Sequence, residues 1–181
     1  LGRDVWSRVA HGARVSILIG LATVVLAGFA GTLVGLLSGF YRRLDEPQKH
    51  VSRLAALQAY EIAGLGPEDM HVAEVHDASA MGEIIQSENL GFVPLGGGGP
   101  AAERGDFALG GRIPINPSGG LESKGHPLGA TGIGQLYELV TQLRGEAGAR
   151  QVEGARHAIQ ENGGGLQGVE EAAVAIHILA K

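Results

Sequence analysis

Residues 15–41 form an uninterrupted stretch of 27 residues without a charged side chain. About 20 apolar residues in a helix suffice to cross the hydrocarbon core of a membrane. The stretch therefore predicts one N-terminal hydrophobic, transmembrane helix, with a long buried helix of a soluble domain as the alternative. Gly31, Gly35 and Gly39 recur every four residues, a spacing that lets two membrane helices approach closely.

The charge balance changes near residue 50. Six Lys/Arg and three Asp/Glu occur up to that point, whereas eight and sixteen follow it, so a basic segment is joined to an acidic one. The net charge of −5 and the aromatic content of 4% argue against nucleic-acid binding, which needs a basic surface and stacking side chains. The chain contains no Cys, which excludes disulfides, zinc–cysteine sites and a cysteine nucleophile within it.

The first residues carry a family resemblance. The sequence LGRDVWSRVAHGARVSILIG at residues 1–20, followed by the Gly- and Leu-rich stretch, resembles the membrane subunits of oligopeptide and dipeptide ABC importers. The resemblance covers residues 1–45 and implies a fragment of a permease. A fragment with a single span could not transport a peptide. Residues 46–50 are predicted to be a junction between this segment and a second domain.

Beyond the junction, helical and strand-like patterns alternate, which is typical of an α/β fold with a mixed sheet. The apolar spacing predicts helices at residues 51–63, around Met81 and Ile84, at about 133–144 and at about 151–160. Strands are predicted at residues 71–75 and 172–179. The glycine runs 96–99 and 163–165 are predicted to be loops.

The densest group of chemically useful residues is NPSGGLESKGHPLGATG at residues 116–132. Its glycines allow tight turns and close approach of a ligand to the backbone. His126 precedes the helix that carries Ile133, and the positive end of a helix disfavours the imidazolium form. We therefore expect a neutral His126 that accepts a proton, although an isolated His in a Gly-rich loop is also compatible with a purely structural role.

Two further loops carry polar residues next to predicted strands. His76 and Asp77 lie at a strand-to-helix junction, where Asp77 or Ser79 would cap the helix and His76 would donate to a carbonyl oxygen. Asn162 lies in the run ENGGG before the last predicted strand. Gly163, Gly165 and Gly168 satisfy G-x-G-x-x-G, but a strand follows them instead of a helix, so no dinucleotide site is predicted. The seven His show no metal-ligand spacing.

The three loops together, AYEIAGLGPEDMHVAEVHDASA at residues 59–80, GGRIPINPSGGLESKGHPLGATG at residues 110–132 and the final ENGGG, resemble the C-terminal half of a thiolase. His-Asp in the first loop, in place of Asn-Glu, points to the sterol-carrier-type and thiolase-like branch. The resemblance covers residues 51–181 and implies a thiolase C-terminal domain. It also implies acyl transfer on coenzyme A thioesters, by Claisen condensation or thiolysis of a 3-ketoacyl-CoA.

The resemblance implies roles for individual residues. His126 would help activate a cysteine nucleophile and, with His76, would stabilise the thioester oxygen. Loop support and substrate contacts would come from a wider set: Asp77, Asn162, Gly163 and Gly164 around the oxyanion, and Asn116, Ser118, Gly119, Gly120, Gly125 and Gly129 in the substrate-binding loop. No bound cofactor or metal is implied, and the acyl-CoA thioester is the substrate.

The same resemblance shows what this chain lacks. The nucleophilic Cys of the family belongs to its N-terminal half, and the second acid/base Cys is replaced here by Asn162 with glycines and by Ala78-Ser79. A thiolase N-terminal half or a second copy of the chain is therefore the expected partner, in the cytoplasm, or at a membrane if residues 15–41 form a span. The alternatives are a membrane-anchored, non-catalytic CoA-thioester binding module and a chimeric gene product that joins permease and thiolase fragments.

Overall fold

The computed structural model of this protein describes residues 21–26, 28–31, 33, 50–165 and 171–181. The chain divides into two units, 1–41 and 42–181. The helices and strands of the second unit are, in order, α1 (Val51–Ala63), β1 (Val72–Glu74), α2 (Ala80–Asn89), α3 (Gly98–Glu103), α4 (Gly120–Lys124), α5 (Thr131–Arg144), β2 (His157–Gly164) and β3 (Ala173–Ala180). Short 3-10 turns lie at Pro67–Asp69 and Gly148–Arg150.

The three strands form one mixed sheet in the order β1-β2-β3. The pairing of β1 with β2 is parallel, and β2 pairs antiparallel with β3. On the other side of β1, Ile115 makes a parallel bridge to Ala73, so the segment that leads into α4 runs beside β1. The mixed sheet with helices that the sequence predicts is confirmed.

The sheet is covered by helices on both faces, because successive residues of a strand point to opposite sides. One apolar cluster joins the sheet to α5 and contains Val72, Ala158, Leu139 and Leu143. The other joins it to α1 and the loops after α2, and contains Ala73, Ile159, Ala56, Tyr60, Leu90 and Phe92. Each fully buried Val, Leu, Ile or Phe among them contributes about 1.5–3 kcal/mol to the stability of the fold.

Helix α1 has the bounds that its sequence predicts, but it turns a different face to the core. Its start is capped by His50, whose Nδ1 accepts a hydrogen bond from the Ser52 N–H, and it ends at Gly64 in the left-handed conformation. The buried positions are Ser52, Ala56 and Tyr60. Leu54 and Leu57, which share the helical apolar spacing with Tyr60, are exposed.

A row of hydrogen-bonded side chains links β3, β2 and α5. His177 Nδ1 lies 2.6 Å from Gln160 Oε1, and the Gln160 amide donates to Gln135 Oε1 at 2.8 Å. Gln135 in turn donates to the backbone oxygen of Glu161 at 3.1 Å. Helix α5 therefore presents polar side chains to the sheet, whereas Ile133 and Tyr137 are exposed.

Two expectations about the C-terminal part of the chain are wrong. Residues 157–160, expected in a helix, belong to strand β2, because their backbone pairs with β1 on one side and β3 on the other. Asn162, Gly163 and Gly164, expected in a loop, continue β2 and pair with β3, and the chain leaves the strand only at Gly165. The glycine run 96–99 is likewise not wholly a loop, since Gly98 and Gly99 begin α3.

Much of the N-terminal stretch at 15–41 lies outside the described residues. Its described positions, 21–26, 28–31 and 33, are helical. Within the portions of the chain that the structure covers, no helix is both long enough and apolar enough to cross a membrane. The permease resemblance of residues 1–45 and the domain bounds at 46–50 stay predictions.

Candidate functional site

The candidate site lies where β1 and β2 end. These strands are parallel, so their carboxyl ends meet at one edge of the sheet, the place where α/β proteins bind ligands. His76 and Asp77 follow β1 at this edge, and Asn162 lies near the end of β2. The loop between α4 and α5 brings His126 to the same place, so the three loops that the sequence singles out converge.

The two candidate catalytic imidazoles lie next to each other. The ring centroids of His76 and His126 are 4.9 Å apart, with an angle of 50° between the ring planes. These residues are far apart in the sequence, and the loop after α4 is what brings His126 over the end of β1. Two imidazoles at this distance can act on neighbouring atoms of one substrate.

His126 is oriented by the first residue of α5. Its Nδ1 lies 2.8 Å from Thr131 Oγ1, and the Thr131 hydroxyl donates its own hydrogen to the Pro127 backbone oxygen at 3.3 Å. A hydroxyl has one hydrogen, so Thr131 Oγ1 accepts from Nδ1–H of His126. In the neutral imidazole this leaves Nε2 with its lone pair, ready to accept a proton.

His76 is held from the other side by a buried carboxylate. Its backbone N–H donates to Glu161 Oε2 at 2.9 Å. Its Nε2 is buried and has no hydrogen-bond partner among the described residues, so it is available to a bound ligand or a water molecule. Burial lowers the pKa of His76 from 6.5, and the neighbouring His126 lowers it further, while Glu171 and Asp77 act in the opposite direction. His76 is therefore neutral at pH 7.

Asp77 binds the loop that carries His126 and does not cap the helix after it. Its Oδ1 accepts from the backbone N–H of Leu121 in α4 at 2.7 Å, and Asp77 is almost fully buried. The cap of α2 is Ser79, which accepts from Gly82 N at 3.2 Å. Gly120 is required beside Asp77, because a Cβ there would lie 1.9 Å from Asp77 Oδ2.

The start of the same loop is fixed to β1 by side chains. Asn116 has a left-handed backbone, with φ of 50°, and its Oδ1 accepts from Val75 N at 2.8 Å. Ser118 donates twice to the Glu74 carboxylate, from its N–H at 3.1 Å and from its hydroxyl at 2.8 Å. Gly119 and Gly125, with φ of 94° and 82°, flank α4 in conformations that favour glycine.

The remaining predicted residues are less tightly bound to this site. Asn162 lies across from the start of α5, since a Cβ on Gly132 would be 3.3 Å from its Nδ2. Asn162 Oδ1 is buried, with no partner in the described part of the chain. Gly163 lies against the Glu171 side chain, while Gly129 and Gly164 have open space beside them.

Three residues outside the set predicted from the sequence hold the site together. Thr131 orients His126, Glu161 holds the His76 backbone, and Glu74 binds Ser118. Thr131 and Glu161 lie inside motifs that were recognised, but only the folded chain shows which imidazole each one reaches. Glu74 reads as an ordinary residue beside a strand, and its complete burial is visible only in the structure.

The structure also bears on metal binding. In the described ranges, no group of three or more His, Asp or Glu side chains is arranged to hold a metal ion.

Comparisons with known proteins agree with the thiolase resemblance. Residues 42–178 match the family described as thiolase C-terminal domain-like. Sterol carrier protein 2 of Rattus norvegicus is 55% identical over 112 residues, which cover 62% of this chain and 20% of that protein. Acetyl-CoA acetyltransferase of Methanothermobacter thermautotrophicus is 50% identical over 127 residues, which cover 70% of this chain and 32% of that protein.

A solved structure shares the fold. The Ltp2-ChsH2(DUF35) aldolase matches with a TM-score of 0.59 and 26% sequence identity, covering 71% of this chain and 31% of that one. The chain therefore spans a fifth to a third of the proteins that it matches. Since the family match extends over most of its length, this chain belongs to the thiolase C-terminal domain-like family.

Proposed function

We propose that this chain supplies the thioester-binding half of a thiolase-type acyl-transfer site, with an acyl-CoA as substrate. The observation that carries the proposal is the pair of imidazoles, His76 and His126, at 4.9 Å. His76 Nε2 is buried without a partner in the described chain, so as an N–H it would donate to a thioester carbonyl oxygen. The name of the relative acetyl-CoA acetyltransferase supports the same substrate class.

In the proposed reaction the two imidazoles have different tasks. His126 Nε2 would take the proton of a cysteine thiol, and the thiolate would attack the thioester carbonyl carbon. The oxygen of that carbonyl would gain negative charge, which the His76 N–H stabilises. When the tetrahedral intermediate collapses, CoA leaves as a thiolate and takes up the proton held by His126, so the charge and the protons balance.

The nucleophile would come from outside these 181 residues, because they contain no Cys. A thiolase N-terminal half is the partner that the family resemblance implies. Asn162 occupies the place of the second acid/base in this resemblance, and an amide exchanges no proton at neutral pH. We therefore expect the chain alone to bind an acyl-CoA without turning it over.

The first experiment measures binding of acetyl-CoA and of free CoA to the full chain by titration calorimetry. His76→Ala removes the donor to the carbonyl oxygen and should weaken acetyl-CoA binding by roughly tenfold, whereas His126→Ala removes the ring that lies beside His76 and should weaken it by less. Free CoA has no thioester carbonyl, and its affinity should not change.

A matched control comes from the second His pair in this chain. His71 and His157 have ring centroids 5.7 Å apart, at the opposite end of β1 and β2 from the site. His157→Ala should leave both affinities unchanged. Equal weakening by all three variants, or no weakening by His76→Ala and His126→Ala, would contradict the proposal.

A second candidate is a CoA-thioester binding module without catalytic activity. It is favoured by the absence of a proton-exchanging side chain at Asn162 and Ala78. Mixing the full chain with a thiolase N-terminal half and assaying acetoacetyl-CoA cleavage separates the two candidates. Cleavage that depends on His126 supports the acyltransferase, whereas binding without cleavage supports the module.

The membrane span at residues 15–41 belongs to the second candidate, as its anchor, and the permease resemblance of residues 1–45 belongs to a third, a chimeric gene product. Alkaline extraction of membranes from cells that express the full chain tests the span. Sequencing single molecules of source DNA across the codons for residues 40–57 tests the chimeric origin. An uninterrupted reading frame there would rule out an assembly artefact.

A further inference from the structure

A buried carboxylate lies beneath the loop that carries His126. Glu74, the last residue of β1, is completely buried. It accepts two hydrogen bonds from Ser118, at 3.1 Å from the N–H and 2.8 Å from the hydroxyl. Lys124 Nζ lies 3.8 Å from Glu74 Oε2 and also donates to Ser118 Oγ. A single carboxylate thus contacts both ends of one short segment.

That segment is α4 with its flanking residues. Ser118 lies just before α4, Lys124 is its last residue, and only Gly125 separates Lys124 from His126. Gly125 has a left-handed φ of 82° and no side chain, so it makes no side-chain contact that would hold the backbone at this point. The place of His126 therefore depends on contacts made on either side of it, Lys124 before and Thr131 after.

We propose that Glu74 is a positioning residue, whose charged carboxylate ties both ends of α4 to β1 and releases the Lys124 end when it is protonated. A neutral carboxyl can still bond Ser118, by donating its O–H to the serine oxygen, but it no longer attracts the Lys124 ammonium. Lys124 then keeps only its hydrogen bond to Ser118 Oγ, while the Leu121 N–H bond to Asp77 and the contact of His126 with Thr131 remain. The charged Glu74 carboxylate therefore restrains the position of His126 above neutral pH, and this restraint weakens below neutral pH.

The charges around Glu74 place this change near neutral pH. Burial raises the pKa of Glu74 from 4.5 to about 7, against the hydrogen bonds from Ser118 and the charge of Lys124. From α5, the carboxylate of Glu138 adds to the rise and is itself paired with Arg150 at 3.0 Å. Across the sheet, the residue paired with Glu74 is Gln160, which is neutral.

The test is amide hydrogen exchange of residues 118–126 in the full chain, at about pH 6 and about pH 8, corrected for the intrinsic effect of pH. In the unchanged chain, protection against local opening that detaches Lys124 while Glu74 stays buried should be roughly tenfold higher at the upper pH, although the free energy of global unfolding changes with pH in the opposite direction. Glu74→Gln keeps the shape and the burial but removes the charge, so the difference between the two pH values should disappear. Glu74→Asp keeps a carboxylate and should retain part of it.

A matched control is Glu88→Gln. Glu88 is another buried carboxylate that accepts a backbone N–H, from Gly98 at 3.0 Å, but it lies at the end of α2, away from α4. Its replacement should leave the pH response of residues 118–126 intact. A response that persists in Glu74→Gln would overturn the inference, because another group, such as an imidazole of the site, would then cause it.

If Glu74→Gln does not fold, Lys124→Met decides the question. Lys124 is partly exposed, so its replacement leaves the core intact. The replacement should lower the protection of residues 118–126 at the upper pH to the value seen at the lower pH. Unchanged protection in Lys124→Met would reject the inference. A second readout, acetyl-CoA affinity at the two pH values, rests on the proposed function. Exchange that responds to pH without a change in affinity would count against that function and leave the positioning role standing.

Discussion

Thr131 Oγ1 lies 2.8 Å from Nδ1 of His126 and donates its own hydrogen to Pro127. This pair of bonds fixes which ring nitrogen of His126 carries the proton, and so which nitrogen faces the candidate substrate. A side chain at the start of a helix thus determines the chemistry of a loop residue five positions earlier.

Thr131→Val keeps the size of the side chain but removes the acceptor for His126. We expect His126 then to sample both tautomers and more orientations, so His126-dependent acetoacetyl-CoA cleavage with an added thiolase N-terminal half should fall by roughly three- to tenfold. Nitrogen-15 NMR of the His126 ring measures the tautomer directly. Thr141→Val is the control, since Thr141 bonds only to the backbone of α5, at Tyr137, and its loss should affect neither measurement. An unchanged tautomer in Thr131→Val would contradict the assignment.

Gly120→Ala is expected to be among the most destabilising small substitutions in the chain. The new Cβ would lie 1.9 Å from Asp77 Oδ2, at a backbone φ of 60° that Ala disfavours. Relieving the clash would break the bond from Leu121 to Asp77, so we expect a loss of about 3 kcal/mol in the free energy of unfolding. Urea denaturation measures it.

The control for that change is Gly134→Ala, in α5. Gly134 is exposed, and nothing lies within 4 Å of the position that a Cβ would take. Ala favours a helix more than Gly does, so the free energy of unfolding should rise by about 0.5–1 kcal/mol. A similar loss in both variants would show that the Asp77 contact is not the cause in Gly120→Ala.

The stability of the fold should depend on the protonation of Glu74. Its pKa is 4.5 in its ordinary state and about 7 in the folded chain, so between these values the folded chain binds more protons than the unfolded one. The contribution of Glu74 is therefore fully present below pH 4.5 and is lost as the pH rises to about 7, a change of about 3 kcal/mol. Denaturation at a series of pH values, compared with Glu74→Gln, isolates this contribution. The same slope in both chains would refute it.

His76 should titrate below 6.5, because burial and the His126 ring both disfavour its charged form. Removing the second cause, in His126→Ala, should raise the midpoint of His76 without bringing it to 6.5, since burial remains. Carbon-13 NMR of the His76 ring follows the titration. A midpoint that does not move in the variant would mean that the two rings do not interact electrostatically.

Apolar spacing, helix-ending glycines and short motifs were sufficient to predict the elements and residues that local sequence determines. The bounds of α1 follow from apolar spacing and from Gly64, and the motifs around His76 and His126 identify the two imidazoles that meet. The helix and the loop predicted over β2 are wrong, because Gln160, Asn162 and two glycines are untypical of a strand, and the backbone pairing with β1 and β3 is visible only in the fold.

The residues that support the two imidazoles could not be predicted from the sequence, again because their roles depend on tertiary contacts. Thr131, Glu161 and Glu74 act through partners that the fold brings close, and their own local patterns are those of ordinary helix and strand residues. The buried face of α5 combines Gln135 and Gln142 with Leu139 and Leu143, while Ile133 is exposed, so apolar spacing alone does not identify the face that packs against the sheet. Tertiary contacts override local preference at these positions.

The side-chain row from His177 through Gln160 to Gln135 has a consequence for how β3 finds its partner. The glycines near the end of β2 have no side chains to pack against β3. A shift of the β2–β3 register by one residue would therefore lose little packing there. Such a slip would place an isoleucine opposite Gln160 and leave its buried amide oxygen without a donor. The hydrogen bond between His177 and Gln160 therefore disfavours mispairing of β3 with β2. A chain with His177→Leu should aggregate more than the unchanged chain during refolding.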